Sequence, residues 1–171
     1  MATMIFSIVA MALGLTLNCG LRLWNRARNF DLSGGQRLLG ISLLARDLRQ
    51  SIDFDKVGFQ GGALQMTFPV ANGDTIEKVC YIFSPEDKTL IRRTCSLNSI
   101  LEEKEEYSQK EVMSAESLVF SFYNFDLQGK GGCWVDEWEK KDGIFTAVKL
   151  EGKADGTDFN RIIIIPVAQY R

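Results

Sequence analysis

From Ala2 to Leu21 the chain carries no charged residue, and then Arg22, Arg26 and Arg28 arrive together. No other feature narrows the folding options so much. A helix of that length spans about 30 Å, the thickness of a bilayer's hydrocarbon core. The segment therefore qualifies as a membrane anchor. Two other readings compete with it. A cleaved signal peptide carries a basic start, a shorter apolar core and a small-residue cleavage site. Here Met1–Thr3 is uncharged, and Asn18 precedes Cys19 where a lipoprotein site needs a small residue. The third reading is a buried helix of a soluble domain. The arginines that follow would place the body in the cytoplasm by the positive-inside rule, unless basic residues precede the span.

Of the 171 residues, those beyond the oily segment are numerous enough for one domain with its own core. The net charge is −2, with no basic stripe, so nucleic acid is not an expected partner. Histidine is absent. That removes Ser-His-Asp and Cys-His catalysis and the commonest zinc ligand. The cysteines are Cys19, Cys80, Cys95 and Cys133, with no CxxC pair to hold zinc or run thiol exchange. What remains for chemistry is carboxylate pairs, Ser-Lys dyads and cysteines, and no cofactor, metal or small-molecule substrate is expected.

Residues 25–54 read as an amphipathic helix, either a second helix or a continuation of the first. Leu38, Ile41, Ala45, Leu48 and Ile52 recur at helical spacing and form a stripe for the domain's own core. Leu32, Leu39 and Leu43 fall on the other side. A second stripe serves either a contact with another subunit or a covering loop. From residue 55 to 171 the pattern is β. "ALQMTFPV", "DTIEKVCYIF", "TLIRRTCSL", "ESLVFSFYNF", "GIFTAVKLEG" and "NRIIIIPV" are short β-branched and aromatic runs separated by turn signals. Leu118, Phe120 and Phe122 alternate with Val119, Ser121 and Tyr123, which puts the two sets on opposite faces. Residues 98–113 are charged and weakly helical, as in a surface excursion. The run Ile162–Ile165 reads as a fully buried strand, and Arg92 and Arg93 as a solvated strand edge.

"VCYIFSPEDKTLIRRTC" reads as a hairpin. With its loop centred between Asp87 and Lys88, Cys80 lies across from Cys95, close enough for a disulfide after a small adjustment. Two reduced thiols fit the sequence as well. "CWVDEWEKKDG" sets Trp134, Asp136 and Trp138 on one face of a strand, an arrangement that serves a glycan site or ordinary edge packing. The turns Asn72–Asp74 and Asp155–Asp158 each offer too few oxygens for calcium on their own.

Several phrases resemble the type IV pilin family. "IFSIVAMALGL" looks like its anchor helix. "RLLGISLLARDLRQSIDF" is similar to the helix end of minor pseudopilins, with its "arDLRqa" run. "VCYIFSPEDKTLIRRT" looks like their hairpin of the form Y-x-F…L-x-R. "LVFSFYNFDLQGKGGCWVDEW", followed by "FTAVKLEG" and "RIIIIPV", resembles the C-terminal half of the J-type minor pseudopilin of type II secretion systems. Members of that group usually carry Pro where Phe145 or Thr146 stands here. Their mature chains also begin with a run carrying a glutamate, after a short basic leader. Matching "ATMIFSIV" to that anchor places several mature residues and the leader ahead of Met1, and the leader would supply the missing cytoplasmic positive charge.

The resemblance implies an α+β protein: a long N-terminal helix, membrane-spanning over residues 1–24 and amphipathic over 25–54, packed on an antiparallel β-domain over 55–171. It implies a single-pass protein of the bacterial inner membrane with its C-terminal domain in the periplasm. The function it implies is non-catalytic: a subunit at the tip of the secretion pseudopilus, with I-type and K-type minor pseudopilins and the major pseudopilin as partners. A minor pilin of a type IV pilus or DNA-uptake machine shares the same pattern. A membrane-tethered binding module centred on Trp134, Asp136 and Trp138 is the alternative of a different class.

Overall fold

The computed structural model describes residues 35–102, 106–124 and 132–166. The chain divides into Met1–Gln36 and Arg37–Arg171, and the elements below belong to the second unit apart from the first residues of its helix. Residues 35–49 form helix α1. Leu44 and Leu48, one turn apart, are fully buried, and Ile41 and Ala45 pack beside them. Gly40 allows the close approach. A Cβ there would stand 3.0 Å from both the Met113 Cβ and the Val112 carbonyl oxygen.

The helix stops because the sheet captures its backbone. The Ser51 hydroxyl donates to the Leu48 carbonyl at 2.7 Å. The Ile52 N–H donates to Pro69 and the Ala71 N–H to Gln50, both at 3.1 Å. The Ile52 donor and the Gln50 acceptor, which would have served a longer helix, thus enter a ladder with the strand that holds Pro69 and Ala71. This corrects the expected architecture. Among the described residues the one long helix runs from 35 to 49 and stops short of residue 54, and most of the rest is antiparallel sheet. α1 covers about 22 Å at 1.5 Å per residue. Among the described residues no helix is long and apolar enough to cross a membrane. The expected span, Ala2–Leu21, lies outside the described residues, as does Leu32.

The β-region is two antiparallel sheets. In the first, β1 (Gln60–Gly62), β2 (Gln65–Asn72), β3 (Thr75–Ser84), β4 (Thr89–Ser96) and β5 (Ser108–Ser114) lie in chain order. A short helix, α2 (Leu97–Leu101), follows β4 and is capped by the Ser96 hydroxyl. In the second, β6 (Ser117–Asn124), β7 (Cys133–Val135), β8 (Ala147–Ala154) and β9 (Thr157–Ile164) take the order β7-β6-β8-β9. The charged segment expected to be a helical excursion therefore supplies a strand, β5, as well as α2.

One core serves α1 and both sheets. Leu44 and Leu48 meet Phe68 and Tyr81 from the first sheet and Phe120 and Phe122 from the second. Phe145 joins them, its ring 5.0 Å from Phe59 and 5.8 Å from Trp138. Each such side chain contributes about 1.5–3 kcal/mol by leaving water. The sheets are stitched where Gly61 and Trp138 exchange backbone hydrogen bonds at 2.9 Å and Phe120 donates to Ala63 at 2.8 Å. Only glycine fits at position 61, since a Cβ would stand 2.1 Å from the Phe122 ring.

The isoleucine run is not fully buried. Ile163 and Ile165 face the core, but Ile162 and Ile164 are each 57% exposed on β9, the edge of the second sheet. An edge strand has one covered face, so its side chains alternate between core and solvent.

Candidate functional site

The densest polar arrangement joins the last turn of α1 to the first sheet. Asp47 comes from "ARDLR" in α1, Tyr81 from β3 and Arg92 from β4. Tyr81 and Arg92 are direct cross-strand partners, so they reach the helix side by side. Asp47 is 1% exposed. Its Oδ2 accepts from the Tyr81 hydroxyl at 2.9 Å and from Arg92 Nε at 2.6 Å. Its Oδ1 faces Arg46 at 3.4 Å. Among the described residues no buried side-chain polar atom lacks a partner.

The electrostatics follow from burial and from this one carboxylate. Burial first, then the Asp47 charge and hydrogen bond, push the Tyr81 phenol far above its ordinary range. For Arg92, burial works against the charged form, but the hydrogen bond to Asp47 and its charge outweigh that and raise the guanidinium. A buried carboxylate held by two donors does not grip a substrate; it fixes the helix against the sheet. This also corrects the reading of Arg92 as a solvated strand edge. Only Arg93, whose Nε donates to Gln109 at 3.0 Å, points away from the core.

The candidate disulfide does not lie as expected. The hairpin pairs Ser84 with Thr89, so its centre falls one residue earlier than the sequence reading placed it. Cys80 then lies opposite Arg93 and Cys95 opposite Lys78. The two thiols are on one face but on a diagonal, where Cβ atoms are about 7–8 Å apart, against roughly 3.5–4.5 Å in a disulfide. No bridge joins them.

The second leucine stripe divides. Leu39 is 73% exposed and Leu43 is half-buried. Leu38, expected in the core stripe, is 56% exposed. The first turn of α1 thus presents adjacent leucines to solvent.

No family model, curated protein or solved structure matches the chain.

The tryptophan segment does not assemble the face expected of a tethered glycan module. Trp138 is buried, with its Nε1 donating to the Gly143 carbonyl at 2.9 Å. Trp134 lies outside, against Tyr123 at 5.1 Å and under the Lys149 ammonium at 5.3 Å. Asp136 accepts from the Ser121 hydroxyl at 3.1 Å. The described residues hold no group of three or more acidic or cysteine side chains placed to bind a metal ion. Sequence reasoning singled out neither Asp47 nor its partnership with Arg92 as a site. The signal was there in part, because Asp47 sits one residue before Leu48 and three after Leu44, on the same side of the helix as these two core positions.

Proposed function

We propose that this chain is a minor pseudopilin, a non-catalytic subunit of the type II secretion pseudopilus tip. The observation that carries the reading is the Asp47–Tyr81–Arg92 lock. Two of the phrases that resembled minor pseudopilins lie in separate parts of the chain: "ARDLR" at the helix end and the hairpin of the form Y-x-F…L-x-R. Their polar residues meet in one buried cluster, and the apolar ones, Leu48, Phe83 and Leu90, are core. Residues placed far apart in sequence and joined in one cluster constitute a fold-specifying device, which a loose hydrophobic pattern alone would not supply.

In this reading the uncharged segment Ala2–Leu21 holds the protein in the bacterial inner membrane and the β-domain lies in the periplasm. Leu32, Leu39 and Leu43 pack against the corresponding helices of I-type and K-type subunits and the major pseudopilin. A minor pilin of a type IV pilus would use the same lock and the same leucines.

The test is the state of the N terminus in native membranes. Intact-mass analysis is expected to find a processed, N-methylated terminus. A cut within residues 15–25 would mark an ordinary signal peptide and refute the proposal.

A further inference from the structure

Three steps in the chain place an asparagine or aspartate directly before glycine: Asn72–Gly73, Asp142–Gly143 and Asp155–Gly156. Such a step can react with itself. The glycine nitrogen attacks the side-chain carbonyl carbon of the residue before it and closes a cyclic imide. Glycine favours this because it has no Cβ to crowd the approach. The structure separates the three steps. The Gly143 N–H donates to the Lys140 carbonyl at 3.4 Å, and the Asp142 carboxylate accepts from the Glu139 N–H at 2.9 Å. The Gly156 N–H donates to the Glu116 carboxylate at 2.7 Å. In both of these the attacking nitrogen is occupied.

The step at Asn72 is built differently. Gly73 and Asp74 form a two-residue turn between the paired Asn72 and Thr75, so the Gly73 nitrogen lies outside the ladder. Gly73 takes φ 60°, the left-handed value that the first position of such a turn requires. Residues 72–75 are exposed, and a Cβ on Gly73 would meet nothing within 4 Å. The Thr75 hydroxyl donates to the Asn72 carbonyl at 2.9 Å. That carbonyl belongs to the same peptide group as the Gly73 N–H, and polarising its oxygen makes the N–H more acidic. One contact restrains the reaction. Asn72 Nδ2 donates to Glu77 Oε1 at 3.2 Å, which ties the amide across the hairpin.

We propose that Asn72 is a self-modifying site, a spontaneous deamidation guarded by Glu77. The Gly73 nitrogen bonds to Asn72 Cγ, the Cγ–Nδ2 bond breaks, and ammonia leaves with the Gly73 proton. Water then opens the imide at either carbonyl and gives aspartate or isoaspartate at position 72. The product cannot remake the bond it lost. Its carboxylate only accepts hydrogen bonds, and it faces the Glu77 carboxylate, where like charges repel. Isoaspartate also adds a methylene to the main chain at the last paired position of β2. The neighbouring Ala71 N–H is the donor that holds Gln50 at the end of α1, so the loosening reaches the helix stop. The inference does not depend on the chain being a pseudopilin.

The full chain in detergent is incubated at mildly alkaline pH. Trypsin then releases Val57–Lys78, in which Asn72 is the sole asparagine. Chromatography with mass spectrometry resolves its amide, aspartate and isoaspartate forms. The same peptide, cut from fresh protein and incubated alongside, supplies the unguarded rate. Asn72 in the native chain is expected to convert, but more slowly than in the peptide, because the strand end must open before the nitrogen reaches Cγ. The variant E77A, checked for native circular dichroism, should convert about threefold faster than wild type. Converted protein, separated by anion exchange, should exchange the Ala71 amide hydrogen faster than unconverted protein. The inference fails if the native chain keeps Asn72 through an incubation that converts the peptide completely, if folded E77A converts at the wild-type rate, or if conversion leaves Ala71 exchange unchanged. The first and last of these outcomes are read on the wild type alone.

Discussion

The two ends of α1 face opposite fates. Its last turn is enclosed: Leu44 and Leu48 are fully buried and Asp47 is clamped by Tyr81 and Arg92. Its first turn is open, with Leu38 and Leu39 mostly exposed. The same residue type, leucine, thus serves the domain's own core at one end and faces outward at the other. The difference is made by what lies opposite. At the clamped end the helix meets the first sheet and its backbone passes directly into the ladder with β2 through Ile52. At the open end an apolar side chain gains nothing until something else covers it. A helix built this way holds its domain with one end and leaves apolar side chains exposed at the other.

The largest test of that contrast is Arg92→Ala. It strands Asp47, which has almost no solvent access, with only the Tyr81 hydroxyl and the distant edge of Arg46. A buried charge left without its ion partner costs about 3–5 kcal/mol, read as a fall in the urea midpoint. Asp47→Asn should cost less. It leaves Arg92, whose side chain is 18% exposed, able to reach water, and it keeps an acceptor for Tyr81. Equal costs for the two variants would break the argument that the carboxylate is the more deeply trapped charge.

Leu48→Ala should come next, at about 2–5 kcal/mol, because it opens a cavity under the clamp. An alkaline effect follows. The Tyr81 phenol has a folded pKa above its unfolded value of about 10. Its contribution is therefore complete below about pH 10 and declines as pH rises beyond that, toward the higher folded value, by up to about 1.4 kcal/mol per pH unit. Other groups titrate there too, so the quantity to measure is the difference between wild type and Tyr81→Phe. Tyr81→Phe should be less stable at neutral pH by about 1 kcal/mol for the lost hydrogen bond, and that gap should narrow above pH 10. A gap independent of pH would contradict it. The smallest effect belongs to the open end: Leu39→Ala should move stability by no more than about 0.5 kcal/mol, while impairing any assembly that uses the outward leucines.

Much of the sheet structure was legible in the sequence, because half-buried strands write their faces as alternation. Leu118, Phe120 and Phe122 face the core, and Val119, Ser121 and Tyr123 lie on the opposite face, where Val119 is exposed and Ser121 is covered. The register of the β3–β4 hairpin was not legible. It depends on a turn in which Lys88 takes φ 54°, a conformation that side-chain-bearing residues seldom adopt, and in which the Ser84 hydroxyl donates to Asp87 at 2.8 Å. That one-residue shift of the loop centre separates Cys80 from Cys95. The end of the helix was missed because its stop lies in β2, in acceptors that no local signal announces. β5 was missed because an exposed edge strand rich in charge carries no alternation to read.

The lock was hidden for another reason. An aspartate on a helix between two arginines reads as a solvated ion pair. Its burial depends on Tyr81 and Arg92, 34 and 45 residues away.

Under the proposed function, the open end of α1 is where this chain would meet other subunits. The direct measurement is site-specific photo-crosslinking in native membranes, with a photoreactive residue at position 39 and, as a control, at position 86 in the β3–β4 turn. Position 39 should capture pilin-type neighbours, identified by mass spectrometry, while position 86 does not. Capture of the same neighbours from both positions, or of none from position 39 in membranes where the protein is functional, would contradict the account.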